Sequence, residues 1–576
     1  MAIKIDPASI VKEFNLDKTY KTSKGFFATW KECVDFNEGR HWENVPVSKE
    51  TRMPRVTTNQ INFITRNKKS NILSQNLKMV YSPGELPEDG NSEPLMKAAE
   101  DYTDAAAQTW SDIDQDGLIE SLVNNTIVEG TGILHYLLDN EYSGGQFTAY
   151  IGTLKGESIN LKDICFGNPR LSAYQVQDQS FITIRKASDA DTLKERAKKT
   201  GTGWETIQPD EPKKGTELEN EVTENSNVAT SYIKYYRKNK QMWWVEVTET
   251  ATIQKSIALA PSIEGMEVEP ATLYPIVILV LDEIKDCTFG RSSIQDVIPI
   301  NKAINWVYSM ILNSVQGNAW AKVLVKVGAL LQPITNTPGE IITDHSMMQG
   351  ADGIKYMQPP NFSNMPPLLA EKLIELSRQT TSTTEINSGE ALGANMAAAA
   401  IMALQSQAQK PYASDKNKVY RMVKCIGRIY EQFYKSNYNM PRPIQGKNLE
   451  GEDITKKFTG SDSAKINFDL VIDVGPANEY SEALQLTVVQ NMYDKKDITK
   501  YQFVKYSPKN IVPQELKQDF EKEEKLMQEQ QAQAAQMQQH AGNIMGQLNP
   551  QEQAVLQQNP QMINQVVNSI QQPQTL

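Results

Sequence analysis

Residues that could hold a metal or carry nucleophilic chemistry are few in this sequence, and they stand apart. The four cysteines are Cys33, Cys165, Cys287 and Cys425, with no CxxC pair, so a zinc knuckle or redox motif has no support. Scattered single thiols fit a reducing, intracellular setting. The four histidines, His41, His135, His345 and His540, are equally dispersed, and no HExxH occurs. Asp112, Asp114 and Asp116 open like a calcium loop. Its closing position, however, falls on Val123, which offers no carboxylate, so the run reads as a polar turn. The nearest approach to a phosphate cradle, Pro441-Arg-Pro-Ile-Gln-Gly-Lys447, lacks the first glycine and the hydroxyl after the lysine. There is no GxGxxG after a strand and no GxSxG nucleophile elbow. The expectation is a protein that is not an enzyme and holds no cofactor and no metal.

Charge is the next constraint. The 576 residues carry 59 Lys and Arg against 70 Asp and Glu, a formal net charge of −11. A tight DNA reader neutralises phosphates with clustered cations, so this balance argues against one. Three basic groups still invite a phosphate reading. Lys322 and Lys326 share one face of a predicted strand, 321–327, with Leu324. Lys418, Arg421, Lys424, Arg428 and Lys435 lie on the polar side of a predicted helix, and Arg66, Lys68 and Lys69 sit together earlier. For the last two groups, ion pairs on a solvated face are the favoured reading.

These residues must be positioned by a chain that alternates between helix and strand periodicity. Residues 8–40, 56–76 and 95–129 read as helices, the last closing at Gly130. Strands are expected at 133–138, 147–151, 181–185, 232–236, 242–247 and 275–281, with a hairpin turn at Lys238-Asn239-Lys240. The polar stretch 199–228 reads as a loop or insertion. A helix over 299–316 places Ile300, Ile304, Val307, Ile311 and Val315 on one stripe. Asn301, Lys302, Asn305, Ser309 and Asn313 cover the other side. A second helix, 367–380, carries Leu369, Leu373 and Leu376 on one side. Between them lies an insertion with strands at 321–327 and 354–358, too long for an ordinary loop. A Gly/Ser/Thr stretch, 381–396, precedes a helix over 412–437 whose apolar stripe is Val419, Val423, Ile426, Tyr430 and Phe433. Residues 465–474 alternate as a strand, and helical segments follow at 480–493 and 513–530. Glutamine dominates from Gln528 on. The longest strongly apolar run, Pro275–Leu281, is far short of the roughly 20 residues a bilayer requires, and the first twenty residues lack a signal-peptide core.

The order of these segments resembles the portal proteins of tailed bacteriophages. Residues 30–42 (WKECVDFNEGRHW) and 54–76 resemble the first helices of that family. Residues 126–138 (TIVEGTGILHYLL) and 164–186 resemble its wing strands. The run from Phe289-Gly290 to Asn305 and Ser309 is similar to the lead-in and first stem helix. Ser388-Gly-Glu through Lys418, then Asp473-Val-Gly-Pro-Ala477 with Tyr480-Ser-Glu482, match most cleanly. The likeness covers roughly 25–520.

The resemblance implies an α+β subunit of a dodecameric ring at one capsid vertex. Its parts would be an N-terminal wing region (1–288), a first stem helix (289–317), a small α/β clip (318–365) and a second stem helix (366–380). A tunnel loop with its following segment (381–411), a wing helix and strands (412–478), a helical crown (479–530) and a Gln-rich tail (531–576) would complete it. The ring would be a channel for genome packaging and ejection. It would dock the terminase large subunit and a neck or adaptor protein, meet major capsid and scaffolding proteins, and pass double-stranded DNA without touching a membrane. Its place would be the virion, after assembly in the host cytoplasm. Lys322, Lys326 and Lys355 of the clip would face DNA. Thr384, Asn387, Ser388, Gly389, Gly393 and Asn395 would form the tunnel loop. The acidic surplus suits a conduit that must not grip what slides through it. The alternatives are a terminase-like DNA-packaging or DNA-processing enzyme, and another neck or tail structural protein of the virion.

Overall fold

Apolar spacing over residues 8–40 predicts one helix, and the chain forms two: α1 (Pro7–Ser23) and α2 (Phe26–Asn37). The break is Gly25, whose φ of +73° is left-handed, a conformation glycine adopts without steric penalty. The computed structural model describes residues 6–43, 45–46, 53–84, 92–145, 149–210, 227–260, 270–319, 323–325, 354–356, 364–381, 407, 409–447, 453–475, 489–490, 492–495 and 502–503. The chain divides into two compact units, Met1–Gly475 and Pro476–Leu576.

Helix α3 (Gln60–Ile72) is shorter than the expected 56–76, because Asn59 caps it by accepting from the Asn62 amide at 2.9 Å. Strand β1 (Asn76–Pro83) follows. The long helix expected at 95–129 is also two, α4 (Glu93–Asp112) and α5 (Gln115–Glu129). Asp114 turns the chain between them at φ +50° and caps α5 through the Gly117 amide. The Asp112/Asp114/Asp116 run is thus a helix junction.

Strands β2 (Gly132–Gly144), β3 (Tyr150–Ser158) and β9 (Ile276–Leu279) form an antiparallel sheet in the order β3-β2-β9. The run Pro275–Leu281 is its buried edge strand. The expected strand 147–151 starts instead at Tyr150 and runs on to Ser158. A second sheet, β4-β5-β6-β7-β8, is built from Ile164–Phe166, Phe181–Asp189, Val228–Lys238, Gln241–Val247 and Thr252–Ala258. The β6–β7 hairpin turns at Asn239 and Lys240, both at positive φ, with Lys238 opposite Gln241. Helix α6 (Ala190–Thr200), which the polar reading of 199–228 bordered without predicting, packs on this sheet through Leu193 and Ala197. Helix α1 covers part of it with Ile10 and Phe14. Short strands β10 (Asp282–Glu283) and β11 (Gly290–Arg291) pair just before α7 (Ile298–Ala319).

The two strands expected in the insertion pair with each other. β12 (Val323–Val325) lies antiparallel to β13 (Ile354–Tyr356). Then come α8 (Met365–Thr380), α9 (Ala413–Asn437), the ribbon β14 (Arg442–Lys447) with β15 (Asp453–Phe458), and β16 (Phe468–Gly475). Strand β16 returns to pair antiparallel with β1, Tyr81 opposite Leu470, joining the two ends of the first unit.

Helix α9 is the central post. Its predicted stripe, Val419, Val423, Ile426, Tyr430 and Phe433, is fully buried. Tyrosines fill much of the surrounding core, and several of their buried hydroxyls donate to backbone or side-chain acceptors. Tyr81 donates to the Gly427 carbonyl and Tyr102 to the Gly460 carbonyl, both at 2.7 Å. Tyr430 and Tyr136 both donate to Gln115 Oε1, at 2.7 and 3.0 Å. The described residues form a mixed helix and sheet protein of the α+β class. Among them no helix is long and apolar enough to cross a membrane. In the second unit Val489 is buried and the rings of Tyr493 and Phe503 lie 5.0 Å apart. Most of the helices expected at 480–493 and 513–530 lies outside the described residues.

Candidate functional site

Of the residues expected to face DNA, only Lys355 lies within the described residues, in β13 opposite Leu324. Lys322, Lys326, Thr384, Asn387, Ser388, Gly389, Gly393 and Asn395 lie outside them. What the structure does describe is the helix pair on either side of the insertion, α7 and α8, which pack on each other and on α3.

Helix α7 turns part of its polar side inward. Asn301, Asn305 and Ser309 are 0%, 2% and 0% exposed, while Lys302 and Asn313 of the same side are exposed. Val315 of the apolar stripe is 50% exposed; of that stripe only Ile304 is fully buried. The inward neighbours explain this division, because they are polar backbone and a histidine. The Val56 amide donates to Ser309 Oγ at 3.1 Å. The Thr58 amide and hydroxyl both donate to Asn305 Oδ1, at 2.9 and 2.8 Å. Asn305 Nδ2 in turn donates to His41 Nδ1 at 2.8 Å, and His41 Nε2 donates to the Phe36 carbonyl at 2.8 Å. These bonds fix the neutral Nε2–H tautomer of His41. Burial lowers the His41 pKa, against the opposing pull of the Phe36 carbonyl. A buried donor left unsatisfied costs about 1–3 kcal/mol, so an asparagine ladder here holds α7 in one register.

More contacts fasten the root of α7. Lys302 pairs with Glu32 at 2.6 Å and lies over the Phe36 ring. Trp306 meets Trp42 edge to face at 5.5 Å, and Arg55 lies over the Trp42 ring. Lys68 bridges Ser293 of the lead-in, at 3.0 Å, to Asp415 at the start of α9, at 3.3 Å. Two glycines of the resembling segments meet as well. A Cβ on Gly130 would sit 2.5 Å from the Gly290 carbonyl, and a Cβ on Gly290 would sit 2.5 Å from the Gly130 carbonyl.

The outer side of the pair carries exposed apolar side chains among polar ones such as the Lys372–Glu375 ion pair of α8. Met310 is 53% exposed and Leu312 39%. No charged residue occurs from Ala303 to Ala319. On α8 the expected leucine face is also largely outward. Leu369 and Leu376 are exposed, with Met365 and Leu368 beside them, while the buried positions are Ala370 and Ser377. Small or polar residues are thus among the buried positions of both helices.

The other basic groups serve as ion pairs and hydrogen-bond donors. Lys69 pairs with Glu120 at 2.8 Å. Lys418 donates to the Leu281 carbonyl, and Lys424 lies 3.8 Å from Asp469. Lys435, expected on the polar side of α9, is buried, paired with Glu431 at 2.7 Å. Arg421 and Arg428 are exposed.

One arrangement that sequence spacing did not reveal has the outline of a catalytic relay. His135 Nδ1 lies 2.9 Å from Glu157 and its Nε2 lies 2.9 Å from the Tyr235 hydroxyl. Burial works against the Glu157 carboxylate, but His135 and Lys186 outweigh it and hold it down at about 2. Burial drives the Tyr235 phenol far up, and the ring is 4% exposed. A phenol that keeps its proton and meets no solvent is a structural donor, so the three groups tie β2, β3 and β6 together. The signal would have been three-dimensional only, since the residues are spread over a hundred positions of chain. Among the described residues no group of three or more His, Cys, Asp and Glu side chains could hold a metal ion.

A scan against protein-family models finds no match to this chain, and neither does a search of curated proteins.

Proposed function

We propose that this chain is a portal-type subunit that assembles into a dodecameric ring and acts as a conduit for double-stranded DNA. The observation that carries the reading is the α7–α8 pair. It brackets an insertion that begins and ends in paired strands. It is rooted in the first unit by the asparagine ladder and exposes Met310, Leu312 and Val315 on α7 and Met365, Leu368, Leu369 and Leu376 on α8. Exposed apolar side chains grouped on adjacent helices mark a surface that another protein covers. A repeated, head-to-tail contact between identical subunits closes into a ring. The segment order that resembles portal proteins supplies the rest of the reading.

In this proposal the protein is not an enzyme and uses no cofactor. The terminase large subunit supplies the packaging force, and a neck or adaptor protein docks later. Major capsid and scaffolding proteins surround the ring at the capsid vertex. Assembly takes place in the host cytoplasm, and the mature location is the virion. Lys322, Lys326 and Lys355 approach the DNA, repeated around the ring so that weak attractions add. Reversing the charge of Lys322 and Lys326 is expected to impair packaging in a reconstituted system. Unchanged packaging by that variant counts against their contact with DNA.

Electron microscopy of the purified full chain tests the main reading. Rings with a central hole and twelve-fold symmetry are the expected result. Monodisperse monomers that hydrolyse ATP would overturn it in favour of a packaging or DNA-processing enzyme.

A further inference from the structure

The root of α7 contains a feature that the conduit reading does not require. His41 Nδ1 has one lone pair, and two amide groups compete for it. Asn305 Nδ2 takes it at 2.8 Å, while Asn301 Nδ2 stands at 3.3 Å. Asn305 cannot turn over without loss, because its Oδ1 already accepts from both the amide and the hydroxyl of Thr58. Asn301 can, because its Oδ1 is buried without a hydrogen-bond partner. The imidazole is 7% exposed and stacked on Phe36, with ring centroids 4.6 Å apart.

We infer that His41 is a proton-operated latch that holds α7 against residues 56–58 when neutral and releases Asn305 when protonated. A proton on Nδ1 turns the acceptor into a donor, which faces the Asn305 N–H groups head on at hydrogen-bond distance. Rotating the Asn301 amide offers the new N–H an oxygen that now lacks a partner. Asn305 must then swing away, and the Thr58 amide loses its acceptor. The switch moves a bond from one turn of α7 to the turn before it, Asn301 and Asn305 being four residues apart on one face.

The charged groups around the imidazole leave it free to respond to pH. On α2, Glu32 is taken by Lys302, and Asp35 is held by Arg40 at 2.6 Å. Arg40 also pairs with Glu38 and Glu43. On α7 the charged residue is Lys302 itself, and on the 53–59 segment it is Arg55, which donates to the Trp42 and Val45 carbonyls. None of these carboxylates reaches His41 to stabilise an imidazolium, and burial disfavours the charged form. Since the folded state binds the proton less readily than the unfolded chain, this latch adds stability above the free-histidine value of 6.5. That stability is lost as pH falls through the folded value.

Amide hydrogen exchange of the purified full chain reads the latch directly. With intrinsic exchange corrected, the peptide covering Thr58 is expected to exchange about tenfold faster once the pH is below the His41 midpoint than at pH 7.5. That is the loss of roughly one buried hydrogen bond. His41→Gln, which cannot take a proton, is expected to be flat over the same range. Equal pH dependence in both proteins overturns the proposal. A second measurement covers a variant that does not fold: the imidazole carbon-bound proton exchange of His41 in the unaltered chain. A titration midpoint below 6.5 is expected, and one at or above 6.5 overturns the latch. Both readouts concern the subunit alone, so they stand or fall separately from ring assembly.

Discussion

Met310→Glu combined with Val315→Glu is expected to leave a folded subunit that no longer assembles. Both side chains are half exposed on α7, so their replacement removes little from the subunit's own core, and surface changes of this kind usually shift stability by less than about 0.5 kcal/mol. In an assembly that covers this part of α7, the same carboxylates are buried on a stretch that has no cation of its own from Ala303 to Ala319. Burying an unpaired charge costs on the order of 3–5 kcal/mol, and every subunit of a closed ring presents the face once. Trp306 is the wrong choice for this experiment, because its ring packs on Trp42 and its loss would damage the subunit itself. Sedimentation velocity alongside a thermal melt separates the two effects. An unchanged melt with the large species gone is the expected pair of results. Rings that survive both charges would place the subunit contact elsewhere.

Gly130→Ala is expected to be the most damaging single methyl group that can be added near the root of α7. Gly130 ends α5 at φ +89°, where an alanine is strained by about 1–2 kcal/mol. Its new Cβ would also meet the Gly290 carbonyl at 2.5 Å, Arg291 C at 2.6 Å and Ser292 N at 2.7 Å, all backbone atoms that no rotamer change can clear. Overpacking of this kind adds about 1–3 kcal/mol. The lead-in to α7 is fastened here by Thr131, which accepts from the Gly290 amide at 2.8 Å, and by the Ser293 amide donating to Ile127 at 3.1 Å. A total loss of roughly 2–5 kcal/mol in urea unfolding is expected. Gly25→Ala is the control, since it shares a positive φ of +73° but has nothing within 4 Å of the added methyl. It should cost only the backbone strain. Equal losses in the two variants would mean that the Gly130–Gly290 contact contributes nothing.

Much of the fold could be read from periodicity. The β6–β7 hairpin, the apolar stripe of α9 and the strand that became β16 were all legible, because each is decided by local turn chemistry or by one buried face. Helix continuity was not. Gly25 and Asp114 each sit inside an unbroken helical pattern, and propensity alone cannot say whether a single left-handed residue will be used as a turn. The candidate site was legible in outline, and its orientation was not. An amphipathic pattern states that a helix has two faces, and the usual assumption sends the apolar one inward. On α7 the neighbours Val56, Thr58 and His41 draw Ser309, Asn305 and Asn301 inward instead.

The sequence by itself determined the scarcity of metal-binding and nucleophilic motifs, the acidic balance, the two helices with an insertion between them, and the uncharged stretch from Ala303 to Ala319. These are properties of residue type and spacing, and no folding can alter them. Only the tertiary structure decided what Asn301, Asn305 and Ser309 are for. Their partners, His41, Val56 and Thr58, lie some 250 residues earlier in the chain. A hydrogen-bond donor is satisfied by geometry, not by sequence distance. Once buried polar groups claim one side of α7, Met310, Leu312 and Val315 are left facing outward, toward whatever covers them.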